Sequence, residues 1–154
     1  MKISTKGRYA LRLMLDLAQY SMEQDYVSIK KVSQRQDISE KYLEQIVAQL
    51  SRAGFVNSAR GAQGGYCLAR TPKEYTVGMI LRQIEGNLST VSCLEESPNK
   101  CRRCNNCVTL DVWQQINDAV SSVIDNITLQ DLLEKQLAQS NAIINDEENG
   151  SCGL

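Results

Sequence analysis

The chain has 154 residues with a formal net charge of −1, is 42 % apolar, and contains no histidine. That length and apolar share fit one ordinary domain, or a small domain with an extension, and exclude a disordered chain. The missing imidazoles exclude histidine general bases, Ser-His-Asp and Cys-His nucleophile systems and imidazole metal ligands, so the sequence does not read as an enzyme.

The near-neutral total conceals a division. Residues 1–85 carry 13 Lys or Arg against 8 Asp or Glu, a net of +5, whereas residues 86–154 carry 4 against 10, a net of −6. The basic half is the expected partner of a polyanion. The opening Met1-Lys2-Ile3-Ser4 runs straight into a helical pattern with no signal peptide, and no stretch approaches the ~18 apolar residues that span a bilayer. The expected compartment is a reducing cytoplasm, with no membrane partner.

Ser4 or Thr5 can cap a first helix whose inward positions Ala10, Leu13, Met14, Leu17 and Ala18 follow helical spacing. After a polar connection through Glu23, Gln24 and Asp25, Ser28 caps a short second helix with Ile29 and Val32 inward and Lys30 and Lys31 outward. The turn Asp37-Ile38-Ser39 restarts the chain, and Ser39 caps a third helix striped by Tyr42, Leu43, Ile46, Val47 and Leu50 that ends before Gly54. Two helices joined by so short a turn make a helix-turn-helix candidate. Its second helix is expected to enter the DNA major groove by its N-terminal turns, with Ser39, Lys41, Tyr42, Glu44 and Gln45 at the interface. Glu44 is the unusual member, because a carboxylate beside phosphates is tolerated only if it accepts from a base such as cytosine N4. The bland reading of all five is a solvated helix face.

Phe55 to Ala59 and Tyr66 to Arg70 read as two strands around Arg60-Gly61-Ala62-Gln63-Gly64-Gly65, the wing of a winged helix. Gly61 and Gly64 let the backbone approach DNA, and Arg60 can enter a minor groove or clamp a phosphate. A nucleotide-phosphate cradle is disfavoured, because the loop joins two strands and no Lys-Ser or Lys-Thr follows it. A fourth helix from Thr76 to Glu85, with Val77, Ile80, Leu81 and Ile84 inward and Gly86 as its stop, completes a mainly α winged helix-turn-helix domain over residues 1–86.

Residues 87–107 form a cysteine loop holding four of the six cysteines. Cys101, Cys104 and Cys107 make C-x2-C-x2-C, and Cys93 precedes them by eight positions. Thiolates so spaced can converge on tetrahedral zinc or on an iron-sulfur cluster, and Lys100, Arg102 and Arg103 would lower thiolate pKa values and offset their charge. A disulfide or plain buried thiols are the rival readings, the former disfavoured in a reducing compartment.

Trp113, Ile116, Val120, Val123 and Ile127 then recur at heptad-like steps, which favours a homodimer seam over intramolecular packing because a small domain offers one long helix little else to pack against. Thr128 caps a last helix through Leu129, Leu132, Leu133 and Leu137. Dimerisation helices are thus expected over residues 108–140 and a disordered tail over 141–154, with Cys152 a bystander and Cys67 a small buried thiol.

Four segments carry a resemblance: K-I-S-T-K-G-R-Y-A-L-R-L-M-L-D-L-A, I-S-E-K-Y-L-E-Q-I, A-R-G-A-Q-G-G-Y-C-L-A, and the cysteine loop followed by V-I-D-N-I-T-L-Q-D-L. Over residues 1–137 the chain resembles the IscR-like iron-sulfur transcriptional regulators. That resemblance implies a dimeric winged-helix repressor or activator that binds double-stranded DNA, holds a cluster beside its DNA-binding domain, and senses cluster supply, iron, redox state or nitric oxide. It also implies control of iron-sulfur assembly genes. The family's three cysteine ligands fall on Cys93, Cys101 and Cys107. Its fourth ligand, a histidine three residues after the third cysteine, is replaced here by Leu110, leaving Cys104, an acidic group or a partner-subunit residue for that place. The resemblance favours 2Fe-2S, while C-x2-C-x2-C also suits 4Fe-4S. A zinc-stabilised winged-helix DNA-binding protein and an electron carrier are the alternatives.

Overall fold

The computed structural model describes residues 2–21 and 26–149, with side chains as far as residue 141. Within these residues the helices are α1 (Thr5–Tyr20), α2 (Ile29–Gln36), α3 (Glu40–Arg52), α4 (Val77–Glu85), α5 (Leu110–Ile124) and α6 (Leu129–Asn149), and the strands are β1 (Val56–Ala59) and β2 (Gly65–Leu68). The polar connection through Glu23, Gln24 and Asp25 lies outside the described residues, as does Cys152.

The helix starts follow the capping logic of the sequence. The hydroxyls of Ser4, Ser28, Ser39 and Thr76 accept from the backbone amides of Gly7, Lys31, Tyr42 and Met79, so each supplies an acceptor that the first turn lacks. At α6 the arrangement is reciprocal: Asp131 Oδ2 accepts from Thr128 N and Oγ1, and Asp131 N donates to Thr128 Oγ1. Between α2 and α3, Asp37 takes a left-handed conformation (φ 52°) and buried Ile38 plugs the turn into the core.

The core is made where α1, α3 and α4 meet. Leu13, Met14, Leu17, Val32, Leu43, Ile46, Val47, Leu50, Tyr75, Ile80 and Leu129 are essentially excluded from water. Tyr75 satisfies its buried hydroxyl by donating to Phe55 O at 2.7 Å and accepting from Arg70 N at 3.0 Å, which ties the foot of the hairpin to the segment before α4.

The strands pair antiparallel, Val56 opposite Leu68 and Ala59 opposite Gly65. The hairpin therefore starts one residue later and ends two residues earlier than the periodicity predicts. Phe55 and Ala69 still exchange one ladder-like bond, Ala69 N to Phe55 O at 3.1 Å, before the strands part. Val27 bridges the outer edge of β2 through two bonds to Tyr66, each 2.9 Å. Gly65 permits this, since a Cβ there would lie 2.3 Å from Val27 O. Cys67 is half-buried rather than buried, because the two-stranded sheet has one face open.

The expected division after residue 107 is corrected in two ways. First, α6 is not a dimerisation element in its opening turns: Leu129 and Leu133 sit in the winged-helix core, Leu129 N donates to Tyr75 O at 2.9 Å, and Val77 N donates to Ile127 O at 2.9 Å. The chain leaves the domain after α4 and returns to it at Ile127, so only α5 stands apart, with no buried residue. Second, α6 continues to Asn149 where a tail is expected from 141. Neither Gly nor Pro interrupts Leu129–Asn149, so nothing breaks the helix before that point.

Candidate nucleic-acid interface and cysteine loop

The first turns of α3 face solvent. Ser39, Lys41, Glu44 and Gln45 are exposed, while Leu43, Ile46 and Val47 are buried on the opposite side. No side-chain hydrogen bond or ion pair engages Lys41, Glu44 or Gln45 among the described residues, so their polar groups are available to a ligand. Tyr42 is half-buried, its ring edge-on to Tyr9 of α1 at 5.8 Å. The structure thus brings all five expected α3 residues to one end of one helix, with Tyr42 also serving as a packing group.

The preceding helix is held by a network the sequence reading did not single out. Asp16, 2 % exposed, accepts from Arg35 Nε at 3.0 Å, Arg35 Nη2 at 2.6 Å and Gln36 Nε2 at 2.9 Å. Arg35 also lies over the Tyr20 ring at 3.9 Å, and its pKa is raised chiefly by the hydrogen bond to Asp16. Arg12 donates to the side chain and the carbonyl of Gln36. This fork fixes the end of α2 against α1, immediately before the turn into α3. The available signal was a carboxylate lying within the apolar stripe of Leu13, Met14 and Leu17.

At the wing tip, Arg60 and Gly61 are exposed, and Gly61 has φ 108°, a conformation that favours glycine. Gly64 is partly covered: its amide closes a turn to Gly61 O at 3.0 Å, so its role is to shape the tip. Arg60 stands in the open beside it, without an intramolecular partner among the described residues.

The cysteine loop leaves α4 at Gly86, is anchored at its start by Leu88 and is shaped further on by hydrogen bonds within the loop. Leu88 is buried against Val77 and Leu81, Ser89 Oγ donates to Leu94 O at 3.0 Å, and Asn87 Nδ2 donates to Glu95 O at 3.1 Å. Further on, Asn99 Oδ1 accepts from Cys101 N at 2.8 Å. Cys93 and Cys101 share a cleft of about 270 Å³ with Ser92, Glu95, Glu96 and Lys100, Lys100 being paired with Glu96. Cys104 and Cys107 lie beyond that cleft. The Cys107 thiol is 3.4 Å from Thr109 Oγ1, and its pKa is lowered first by that hydroxyl, then by the Leu110 and Thr109 amides and by Arg103.

All four loop thiols are free and partly exposed. The donor chemistry suits a soft metal centre, but no three Cys, Asp or Glu side chains among the described residues converge on one point. Leu110 occupies the first position of α5 and offers no donor.

A family model described as Rrf2, iron-dependent transcriptional regulator, matches residues 3–135. The chain is 45 % identical to the HTH-type transcriptional regulator CymR of Bacillus subtilis (strain 168) over 132 residues, 86 % of this chain and 89 % of that protein. It is 35 % identical to the HTH-type transcriptional regulator IscR of Pectobacterium atrosepticum over 136 residues, 88 % of this chain and 81 % of that one. The solved structure of B. subtilis CymR, described as a global cysteine regulator, superposes with a TM-score of 0.72 at 44 % identity, covering 88 % of this chain and 98 % of the other. The structure of T. potens IscR gives 0.70 at 42 % identity, with 88 % of each chain covered.

Proposed function

The chain belongs to the Rrf2 family of transcriptional regulators, and from that premise we propose that it is a homodimeric, cytoplasmic, sequence-specific DNA-binding regulator whose cysteine loop holds an iron-sulfur cluster and passes its occupancy to the DNA-binding helices. The observation that carries this reading is the placing of four free thiols in the one segment that joins α4 of the winged helix to α5. Cys93, Cys101 and Cys107 are the proposed ligands, with Cys104 in the fourth place that Leu110 cannot fill. When bound, the cluster supplies a centre whose presence depends on iron, sulfide and redox state. The residues supply the rest: Lys100, Arg102 and Arg103 offset thiolate charge, and the Thr109 hydroxyl favours the Cys107 thiolate.

On DNA, the first turns of α3 enter the major groove and Arg60 reaches the minor groove or a phosphate. The exposed seam of α5 sets the spacing of two such readers near the ~34 Å of one helical turn. A ligand shifts an equilibrium only by its differential affinity, so the loaded loop must favour one placing of the readers over another. Promoters of iron-sulfur assembly genes are the proposed targets.

A second reading has a specific observation behind it. Among the described residues the thiols do not converge, Leu110 is no ligand, and a 45 % identical relative is a cysteine regulator; a thiol-responsive regulator without a cluster would share every feature of the DNA interface. Anaerobic purification separates the readings. A brown protein with visible absorption and matching iron and sulfide, losing both in Cys93→Ala/Cys101→Ala/Cys107→Ala, supports the cluster. A colourless, iron-free protein overturns it, and stoichiometric zinc would point to a structural metal instead. Cys104→Ala, assayed for iron and sulfide alone, decides the fourth ligand.

A further inference from the structure

The last turn of α4 makes polar contacts to three different helices within four residues. Arg82 forks onto Asp125, the residue after α5, at 2.5 and 2.9 Å. The Gln83 carbonyl, one of the four that a helix C-terminus leaves without an internal partner, accepts from Gln49 Nε2 of α3 at 2.7 Å. Glu85 Oε1 accepts from both the backbone amide (2.9 Å) and the hydroxyl (2.7 Å) of Ser4, the N-cap of α1. Gln49 in turn accepts from Lys6 Nζ at 2.7 Å, so α1 meets this cluster twice. One residue further, Gly86 ends the helix and the cysteine loop begins.

These contacts are specific in geometry. α1 crosses the end of α4 so closely that a Cβ on Gly7 would lie 2.1 Å from Glu85 Oε1. Gln49 and Glu85 are partly buried, so their bonds to Gln83 and Ser4 are made where water is a poor substitute. An element held by the N-cap of one helix and by an interior side chain of another shifts only by straining or releasing one of those contacts.

We propose that Gln49 and Glu85 are positioning residues that make the last turn of α4 a joint, imposing the placement of the cysteine loop and α5 on the recognition helix α3 and on the N-terminus of α1. The joint rests on the switch proposed above and names its moving part. A displacement of Gly86 by the loop, or of Asp125 by α5, pulls on the same turn; α3 then moves through Gln49 and the Lys6 end of α1 through Ser4. A static staple at the same place would change stability but not the response of α3 to the loop.

Two variants break the joint without opening a cavity. Gln49→Glu keeps the acceptor for Lys6 and removes the donor to Gln83. Gly7→Ala leaves Glu85 in the chain but drives its carboxylate off Ser4. Hydrogen exchange on the full-length, cluster-free protein is read first. In Gln49→Glu the amides of residues 83–95 should exchange at least about fivefold faster, the factor equivalent to the ~1 kcal/mol of one net hydrogen bond. A change confined to α3 around residue 49 overturns the joint. The wild type and both variants are then reconstituted anaerobically with iron and sulfide. Wild-type α3 and the start of α1 should both change their protection; Gln49→Glu should bind iron but lose the change in α3, and Gly7→Ala should bind iron but lose the change at the start of α1; an intact α3 response in Gln49→Glu, or an intact α1 response in Gly7→Ala, overturns the joint. If the wild type takes up no cluster, or takes it up with no response in α3, the switch fails and takes the joint's role in it along, whereas a change in cluster-free Gln49→Glu confined to α3 overturns the joint alone.

Discussion

Asp16 and Glu44 are two carboxylates in neighbouring helices with opposite tasks. Asp16 is buried and engaged by Arg35 and Gln36, so its removal leaves the partly exposed Arg35 guanidinium and the Gln36 amide without their acceptor and frees the end of α2. Asp16→Ala should cost about 1–2 kcal/mol, the net worth of charge-assisted hydrogen bonds whose surviving partner can turn to water, read as a shift of the urea unfolding midpoint. A loss below about 0.5 kcal/mol, the level of a surface pair, would show that the fork contributes only geometry. Glu44 is exposed with no partner among the described residues, on the face proposed to meet bases. Against a panel of sites differing by single base pairs, Glu44→Ala should flatten discrimination at one position by about 1–3 kcal/mol, and because a charge that repels phosphate is lost, binding to non-specific DNA should tighten. Unchanged affinity and unchanged preference together would remove Glu44 from base reading.

At the scale of elements, α5 is the exception, a helix of 15 residues with nothing buried. Two features hold its far end: Ile124 and Ile127 pack on Val77, Leu81 and Leu88, and Arg82 clasps Asp125. The clasp carries a pH signature. Arg82 lowers the Asp125 pKa, first through the hydrogen bond, against a smaller opposing effect of desolvation. A folded-state pKa below the unfolded one means that the clasp stabilises above the ordinary carboxylate value and that its contribution is lost as pH falls through the lowered value. Wild type and Asp125→Asn should therefore differ in thermal midpoint at pH 7 and converge on acidification below about pH 4. Both side chains are some two-fifths exposed, so the difference should be small and should shrink in high salt. A gap that persists at pH 2 would assign the effect to Asn packing rather than to charge.

For the whole molecule, the decisive surface is the apolar side of α5. Val112, Trp113, Ile116 and Val123 are between 36 % and 56 % exposed, a row of large side chains on a helix that its own domain does not cover. The proposed homodimer covers it. Ile116→Glu with Val123→Glu should yield a folded monomer by sedimentation at micromolar concentration. The affinity for a two-half-site operator should fall by at least about 100-fold as the second reader loses its tether, while binding to a single half-site changes little. A double variant that still sediments as a dimer would move the interface elsewhere.

Local chemistry alone determined most of the DNA-binding half. Serine and threonine caps, helical stripes, the left-handed turn at Asp37 and the glycines of the wing are short-range preferences, each decided within a turn or a hairpin, and the structure places them where periodicity puts them. The thiol spacing of the loop, the missing histidine and the segments that mark the family were likewise legible in one dimension. Tertiary structure decided what depends on long-range company. The stripe of Leu129, Leu132 and Leu133 has the same period as a dimer seam, and only packing against the core beside Tyr75, with the Leu129 amide on the Tyr75 carbonyl, draws it back into the first domain. Asp16 reads as a misplaced charge until Arg35, 19 residues away, folds over it, and Gln49 as an ordinary surface amide until the end of α4 arrives beneath it. Periodicity says that a face must be covered or a polar group satisfied; which partner does so is a matter of chain topology, which no local pattern encodes.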